Sequence, residues 1–123
     1  MEGTKTFEEL KAWQRAHRFT LDVYKISESF PKREDFCLTN QFRRAAISIA
    51  ANIAEGYKKK GKLDKLRFFN MSQGSLEECR YYLILSKDLN YITEDEKGRL
   101  LELLNDSSRL LNSYCKAISD DIH

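Results

Sequence analysis

The chain has 123 residues, a formal net charge of +2, 33% charged residues and 41% hydrophobic residues. One proline and five glycines exclude a collagen-like repeat and argue against a strand-rich fold with many turns. No apolar run approaches the ~20 residues that span a bilayer, and the first residues, MEGTKTFEELKAW, carry acids where a secretory signal has a basic segment. We therefore expect a single cytoplasmic, helix-rich domain over residues 1–123, with no membrane contact.

The first predicted helix covers residues 6–30. Its apolar and small residues recur at intervals of three and four, which places their side chains on one face of a helix. These residues are Phe7, Leu10, Trp13, Ala16, Thr20, Val23 and Ser27. Pro31 ends the helix, because its ring cannot continue the hydrogen-bond ladder, and the polar connector PKREDFC follows.

The second predicted helix covers residues 39–60, with Thr39 as its N-cap and a break at Gly61. Around its axis the side chains separate into an apolar arc and a polar stripe. The apolar arc consists of Leu38, Phe42, Ala45, Ala46, Ile49 and Ile53. The polar stripe consists of Gln41, Arg44, Ser48, Asn52 and Glu55. An ordinary surface helix has one apolar stripe and a broad charged face, so we expect this helix to be covered on more than one side.

Two further helices are predicted over residues 63–90 and 94–119. Gly74 lies inside the third helix, where glycine costs about 1 kcal/mol relative to alanine, and a close helix crossing would explain it. Thr93 and Glu96 form a capping-box pattern at the start of the fourth helix. Because the connections are short, neighbouring helices should be antiparallel, and the predicted fold is an all-α, up-down-up-down four-helix bundle.

The sequence offers little support for catalytic, metal or thiol chemistry. Cys37, Cys79 and Cys115 are odd in number and form no CxxC pair, and the last two fall on apolar stripes typical of buried free thiols. His17 and His123 have no ligand or base at helical spacing. We therefore expect no enzyme, no catalytic residue, no metal and no cofactor; a small hydrolase is the least supported alternative.

A cluster of cations at the junction of the second and third predicted helices is the strongest local signal. This basic corner consists of Lys58, Lys59, Lys60, Lys62, Lys65 and Arg67. Residues 1–67 carry a net charge of +6 and residues 68–123 carry −4, so the cations are concentrated in the first half. Clustered Lys and Arg can neutralise phosphates without reading base sequence. The alternative is a plain solvated corner, and Arg43 is the next candidate if phosphate binds elsewhere.

Two other features have both a structural and a functional interpretation. Five aromatic residues could stack on bases if exposed, although at these spacings they are more often core or interface residues. They are Tyr57, Phe68, Tyr81, Tyr82 and Tyr91. The polar stripe could belong to an active site, but Ser48 has no evident base, so structure and assembly are the favoured role. If Arg44 is buried with a partner, its removal should cost about 3–5 kcal/mol.

The sequence closely resembles a known bacterial family, the four helix bundle proteins. Its members are encoded within intervening sequences of large-subunit ribosomal RNA genes and were once labelled S23 ribosomal proteins; the accessory variability determinant of diversity-generating retroelements is a related branch. The block RRAxxSIxxNIAEG is the most specific part of the match. The matching residues include Phe7, Leu10, Trp13, Gln14, Ala16, Phe30, Pro31, Glu34, Gln41, Arg43, Arg44, Ser48, Asn52, Glu55, Gly56, Phe68, Phe69, Gly74, Ser75, Leu76 and Glu78.

The resemblance implies a ring-shaped homo-oligomer, a pentamer of antiparallel four-helix bundles. In the retroelement branch it also implies a basic surface that binds nucleic acid and a reverse transcriptase, and the family has no established enzymatic activity. Cys37 and Ser72 depart from the usual pattern without threatening the fold. The resulting hypothesis is a non-enzymatic RNA- or DNA-binding accessory or scaffold protein. Its alternative is a protein–protein assembly module with no nucleic-acid role.

Overall fold

The computed structural model describes residues 5–122, and their regular elements are all helical. Four α-helices account for most of the chain: α1 (Lys11–Ser27), α2 (Leu38–Lys58), α3 (Lys62–Asp88) and α4 (Glu94–Ile122). Two short 3-10 helices, Phe7–Glu9 and Lys32–Glu34, precede α1 and α2. No strand occurs among the described residues, and none of their helices is long and apolar enough to cross a membrane.

Hydrogen bonds between neighbouring helices show that each helix runs antiparallel to the next. The Ser72 hydroxyl of α3 donates to the Ile49 carbonyl of α2 at 2.7 Å, and Tyr82 donates to Gln41 at 3.0 Å, so numbers rise on α3 as they fall on α2. The same reversal relates the other neighbouring helices. Between α1 and α2 the contacts are Thr20–Ala46 and Ser27–Arg43. Between α1 and α4 they are Ala12–Ser107 and Asp22–Arg99, and between α3 and α4 they are Gln73–Asn112 and Arg80–Asn105. Since α1 contacts α2 and α4 but not α3, the predicted up-down-up-down bundle is confirmed.

The core lies along the axis of the bundle and receives one face of every helix. All six residues of the predicted apolar arc of α2 are buried there. Phe19 from α1, Phe69 and Leu76 from α3, and Leu104 from α4 are fully buried against that arc. The interval-of-three-and-four pattern therefore identified the core face of α2 correctly.

The first predicted helix is wrong at both ends. The 3-10 helix Phe7–Glu9 is separated from α1 by Leu10, whose backbone is extended and whose side chain is buried. At the other end α1 stops at Ser27, where the serine hydroxyl bonds back to the Val23 carbonyl at 2.6 Å and the amide of Phe30 bonds to Ser27 in a turn. Residues 28 and 29 form this turn, so the helix ends before it reaches Pro31.

The two predicted N-caps have opposite outcomes. Thr39 is not a cap, because α2 begins one residue earlier and the Thr39 hydroxyl is buried with no hydrogen-bond partner in residues 5–122. The Glu34 carboxylate instead accepts the amide hydrogen of Leu38, at 3.3 Å. The capping box is confirmed: the Thr93 amide donates to Glu96, and the Glu96 amide donates to the Thr93 hydroxyl.

The close helix crossing lies at Gly56 and not at Gly74. A Cβ atom built on Gly56 would come within 2.6 Å of the Phe69 ring, so α2 and α3 approach closely there because this residue has no side chain. A Cβ on Gly74 would meet nothing within 4 Å, and Gly74 is exposed. The prediction of a close helix crossing at Gly74 is therefore wrong.

The three cysteines are free thiols with graded exposure: Cys37 is exposed, Cys115 is half-buried and Cys79 is buried. At neutral pH we expect a thiol-specific reagent to modify Cys37 first, Cys115 more slowly, and Cys79 only after unfolding. Burial raises the pKa of the Cys79 and Cys115 thiols, which further lowers their thiolate fraction. Mass spectrometry of the modified protein would test this order, and a Cys37→Ser variant should lack the first phase.

The raised pKa of Cys79 also makes stability depend on pH. Above about pH 9 the unfolded chain loses a proton that the folded chain keeps, so stability falls by at most about 1.4 kcal/mol per pH unit for this thiol. A Cys79→Ala variant should show a shallower decline. Rapid labelling of Cys79 in the folded protein would contradict its burial.

Candidate nucleic-acid interface

The basic corner forms where the chain passes from α2 to α3. The helix α2 ends at Lys58, Lys59 has an extended backbone, and Gly61 is the N-cap position of α3. The predicted ends of these helices, at residues 60 and 63, differ from the observed ones by one or two residues. Because only three residues connect the helices, all six cations lie within two turns of the connection.

Three of the six cations have neither an ion pair nor a side-chain hydrogen bond among the described residues. Lys58 and Lys60 are exposed. The Lys59 ammonium lies 4.8 Å from the centroid of the Phe68 ring, an attractive contact that keeps its charge available. These consecutive lysines, Lys58–Lys60, are the open cations of the corner.

The other three cations have partners within the chain: Lys62 and Arg67 form ion pairs, and Lys65 donates to backbone carbonyls. Lys62 forms an ion pair with Asp121 near the end of α4, and this hydrogen bond and charge lower the pKa of Asp121. Lys65 donates to the carbonyl oxygens of Tyr57 and Gly56, at 2.5 and 3.3 Å, and so satisfies the C-terminus of α2. Partial desolvation lowers the pKa of Lys65.

Arg67 binds Asp64 through two nitrogens, at 3.0 and 3.2 Å, and its guanidinium lies 4.7 Å from the centroid of the Phe68 ring. Phe68 is therefore contacted by two of the predicted cations. The sequence pattern grouped all six cations correctly in space, but it could not show which of them are paired.

Arg43 does not belong to the corner. It lies 15 residues before Lys58 on the same helix, which is about 22 Å along the axis. Its Nε atom donates to the Ser27 hydroxyl at 2.9 Å, and its guanidinium lies 4.7 Å from the centroid of the Tyr24 ring. Arg43 therefore ties α2 to the end of α1.

The predicted polar stripe of α2 divides into two groups. Gln41, Ser48 and Asn52 belong to the seam between α2 and α3, where Ser75 donates to Ser48 at 2.8 Å and Asn52 donates to the same hydroxyl at 2.9 Å. No partner atom was predicted for these residues. Several of these hydrogen-bond partners lie on α3, so the residue pattern of α2 alone could not predict them.

Arg44 and Glu55 form the second group and are exposed, as is Glu78 on α3. None of the three has an ion pair within residues 5–122. Arg44 is not buried with a partner in the chain, so the large cost expected for its removal does not apply. Arg44 and Glu78 line one open groove beside the seam.

The aromatic candidates for base stacking are mostly occupied in packing. Tyr82 lies against Phe42, and Tyr91 lies against Phe30, with ring centroids 5.8 and 5.3 Å apart. Tyr57 lies beneath the Lys65 ammonium, 5.5 Å from its ring centroid. Tyr81 is the most exposed of the five predicted aromatics, and it lies on α3 away from the basic corner.

A cavity of about 640 Å³ opens beside the basic corner, between the start of α1 and the end of α4. Apolar side chains such as Leu111, Tyr114 and Ile118 form much of its wall. Of its charged lining residues, Lys62 is paired with Asp121, as described above. Among residues 5–122 no group of three His, Cys, Asp or Glu side chains could hold a metal ion; His123 lies outside the described residues.

A protein-family model described as the 23S rRNA-intervening sequence protein matches residues 8–113. The chain belongs to this family. The resemblance seen in the sequence is thus confirmed, and the matched region of this intervening-sequence protein includes α1, α2 and α3 in full and most of α4. The last part of α4, which contains the Lys62 partner Asp121, lies beyond the match.

A solved structure supports the fold. The crystal structure of a protein of unknown function from the S23 ribosomal protein family of Bacteroides thetaiotaomicron superposes with a TM-score of 0.78. The two chains are 22% identical, and the match covers 85% of this chain and 95% of the other. No curated protein matches this intervening-sequence protein.

Proposed function

We propose that this intervening-sequence protein is a non-enzymatic accessory or scaffold protein that binds RNA or DNA without sequence specificity, as a ring-shaped homo-oligomer of five subunits in the cytoplasm. The observation that supports nucleic-acid binding is the run Lys58–Lys60, whose charges have no ionic partner among the described residues. Lysine ammonium groups contact phosphates as point charges and do not read bases. If the gene belongs to a retroelement, a reverse transcriptase is the expected protein partner.

Assembly would strengthen this weak contact. A single cluster of three lysines binds phosphate poorly, but a ring repeats the cluster around one axis on a rigid frame. Several clusters acting on one strand raise the effective concentration, and avidity can increase by about 10²-fold. The unpaired charges of Arg44, Glu55 and Glu78 and the exposed apolar residues of α1 and α3 support assembly, since a partner subunit could cover them.

Replacing Lys58, Lys59 and Lys60 together by glutamine should abolish binding to single- and double-stranded RNA and DNA at ~50 mM salt. Three phosphate contacts from a single cluster predict a fall in affinity of about 20- to 40-fold between ~50 and ~200 mM salt, and two or three clusters of one ring acting on the same strand predict a fall of about 10³-fold or more. Fluorescence anisotropy with labelled oligonucleotides of mixed sequence would measure both effects.

The matched control replaces Lys32, Lys87 and Lys97, which lie at the opposite end of the bundle, by glutamine and removes the same net charge. This control should retain binding, and both variants should keep the helical circular-dichroism signal and the oligomeric state. If the two variants lose the same affinity for oligonucleotides, the net charge of the protein and not the position of Lys58–Lys60 would explain the binding. Binding that survives the change at Lys58–Lys60 would contradict the proposed site.

A second candidate function is a protein–protein assembly module with no nucleic-acid role. It is favoured by the contacts of Lys62, Lys65 and Arg67 with other groups of the same chain. These contacts leave only half of the cations of the basic corner available to bind phosphate. An unmodified protein that is oligomeric yet binds no oligonucleotide at ~50 mM salt would establish this alternative in place of the first.

A further inference from the structure

The cavity beside the basic corner exists because α4 extends past the start of α1. The hydrogen bond from the Ser107 hydroxyl of α4 to the Ala12 carbonyl places the start of α1 level with Ser107. From there α4 continues to Ile122, about 22 Å further along its axis. In the described part of the chain, the 3-10 helix Phe7–Glu9 packs on α1 and α2 and not on α4, so it does not cover this extension. The space that remains is the cavity of about 640 Å³.

The wall of this cavity continues the hydrophobic core. Leu111, Tyr114 and Ile118 follow one another at intervals of three and four on the core-facing stripe of α4. Leu111 is fully buried, whereas Tyr114 and Ile118 are half-buried, so the stripe opens toward the end of the helix. Leu10 and Ile53 add buried apolar surface from the other sides. Ligand pockets of proteins have volumes of about 300–1,000 Å³ and mostly apolar walls with a few polar groups, and this cavity has both properties.

One ammonium group that lines the cavity has an unused hydrogen-bond donor. Lys65 lies near the start of α3, and its Nζ atom donates to the carbonyl oxygens of Tyr57 and Gly56. An ammonium group can donate three hydrogen bonds, and these two hold it in a fixed position. Among residues 5–122 Lys65 has neither a third acceptor nor a carboxylate partner. Its partial desolvation, which lowers its pKa, is therefore not compensated by an anion.

The other charged residues of the lining do not supply the missing anion. Three lysines and two acids line the cavity, which leaves a net charge of +1. Lys62 and Asp121 neutralise each other in an ion pair. Lys11 and Glu9 are exposed and have opposite charges. The charge of Lys65 is the one that remains, so a negatively charged ligand complements the cavity.

We propose that this cavity binds a small amphipathic carboxylate, a fatty acid of medium chain length, whose carboxylate accepts a hydrogen bond from Lys65. The alkyl chain would lie against the α4 stripe from Leu111 to Ile118, which is about 10 Å long and matches an extended chain of about eight to ten carbons. An alkyl chain asks no hydrogen bond of this apolar wall, and its carboxylate gains a charge-assisted one. The inference goes beyond the proposed function, because it needs neither nucleic acid nor a ring.

Decanoate should bind to the full chain with a stoichiometry of one molecule per subunit, measured by isothermal titration calorimetry at neutral pH. Decanol and decylammonium have the same alkyl chain without the negative charge. Each should bind at least about tenfold more weakly than decanoate, since neither can accept a charge-assisted hydrogen bond from an ammonium group. Equal affinities for the three probes would overturn the role of the carboxylate, and a protein that does not bind decanoate would overturn the inference.

Lys65→Met removes the ammonium group and keeps a long side chain. It should weaken decanoate binding by at least about tenfold and leave the affinity for decanol unchanged. The matched control, Lys25→Met, removes the same charge from an exposed position on α1 outside the cavity and should bind decanoate normally. Circular dichroism should show that both variants are folded. An unchanged affinity of folded Lys65→Met for decanoate would overturn the position of the carboxylate.

Ala117→Trp tests the cavity without a change at Lys65. Ala117 is exposed and lines the cavity, so an indole ring at this position occupies the space for the alkyl chain. This variant should bind neither decanoate nor decanol, whereas the control Ala51→Trp, at an exposed position of α2 outside the cavity, should bind both. Decanoate binding that survives Ala117→Trp would place the ligand elsewhere and overturn the inference. That outcome would leave the proposed nucleic-acid site intact, because Lys58–Lys60 do not line the cavity.

Discussion

Replacing Phe42 by alanine should lower the free energy of unfolding by about 3–5 kcal/mol, the largest effect that we expect from a single truncation. Phe42 is fully buried in the second turn of α2. Its ring lies 6.3 Å from that of Phe19 and 5.8 Å from that of Tyr82, centroid to centroid, so it joins α1, α2 and α3. Alanine would leave a cavity that three helices cannot all close. Urea denaturation at fixed protein concentration would measure the loss.

The matched control is Phe36→Ala, six residues earlier in the chain. Phe36 is 92% exposed in the connection before α2, so the same truncation there removes almost no buried surface. We expect a change within about 0.5 kcal/mol, as for ordinary surface substitutions. Similar losses at the two positions would contradict the placement of the core.

Gly56→Ala should destabilise the protein by about 1–3 kcal/mol, although alanine favours helices by about 1 kcal/mol over glycine. The new Cβ atom would come within 2.6 and 2.8 Å of two ring carbons of Phe69 and within 3.1 Å of the Phe68 Cβ atom. Phe69 is fully buried and packs against Tyr114 of α4, so it cannot move aside without disturbing a third helix.

Two companion variants separate this clash from a general effect of glycine. Gly98→Ala introduces alanine at an open helix position and should raise stability by up to about 1 kcal/mol. Phe69→Leu in the Gly56→Ala background should recover part of the loss relative to Phe69→Leu alone, since the smaller side chain vacates the ring position. A stabilising effect of Gly56→Ala by itself would show that α2 and α3 do not approach closely at this point.

Much of the fold could be predicted from the sequence because helix periodicity is a local property. The interval of three and four residues identified the buried face of α2, and Thr93 with Glu96 identified the start of α4. The predicted helix ends are less accurate, because they depend on backbone conformation and side-chain contacts that periodicity does not specify. Leu10 interrupts the first predicted helix, and Glu34 serves the start of α2 in place of Thr39.

The candidate site was predicted as a group of residues but not as an arrangement of partners. Six cations within ten residues had to lie together at a helix junction. Whether each cation is free to bind phosphate depends on residues far away in the sequence. Asp121, for example, forms an ion pair with Lys62, which lies 59 residues before it. The role of Lys65 depends on the orientation of the Tyr57 and Gly56 carbonyls, which is fixed only once α2 ends.

The sequence by itself determined the helical class, the order of the four helices, the family and the position of the basic corner. These properties follow from composition, spacing and motif, which neighbouring residues carry without reference to the rest of the chain. Only the tertiary structure decided that Gly56 is the close crossing and that Gly74 is open. It likewise decided that Arg44 is exposed and that Lys58–Lys60 remain without ionic partners among the described residues. Burial and pairing depend on which helices are neighbours and at what height they meet, and hydrophobic periodicity specifies a face but not its partner.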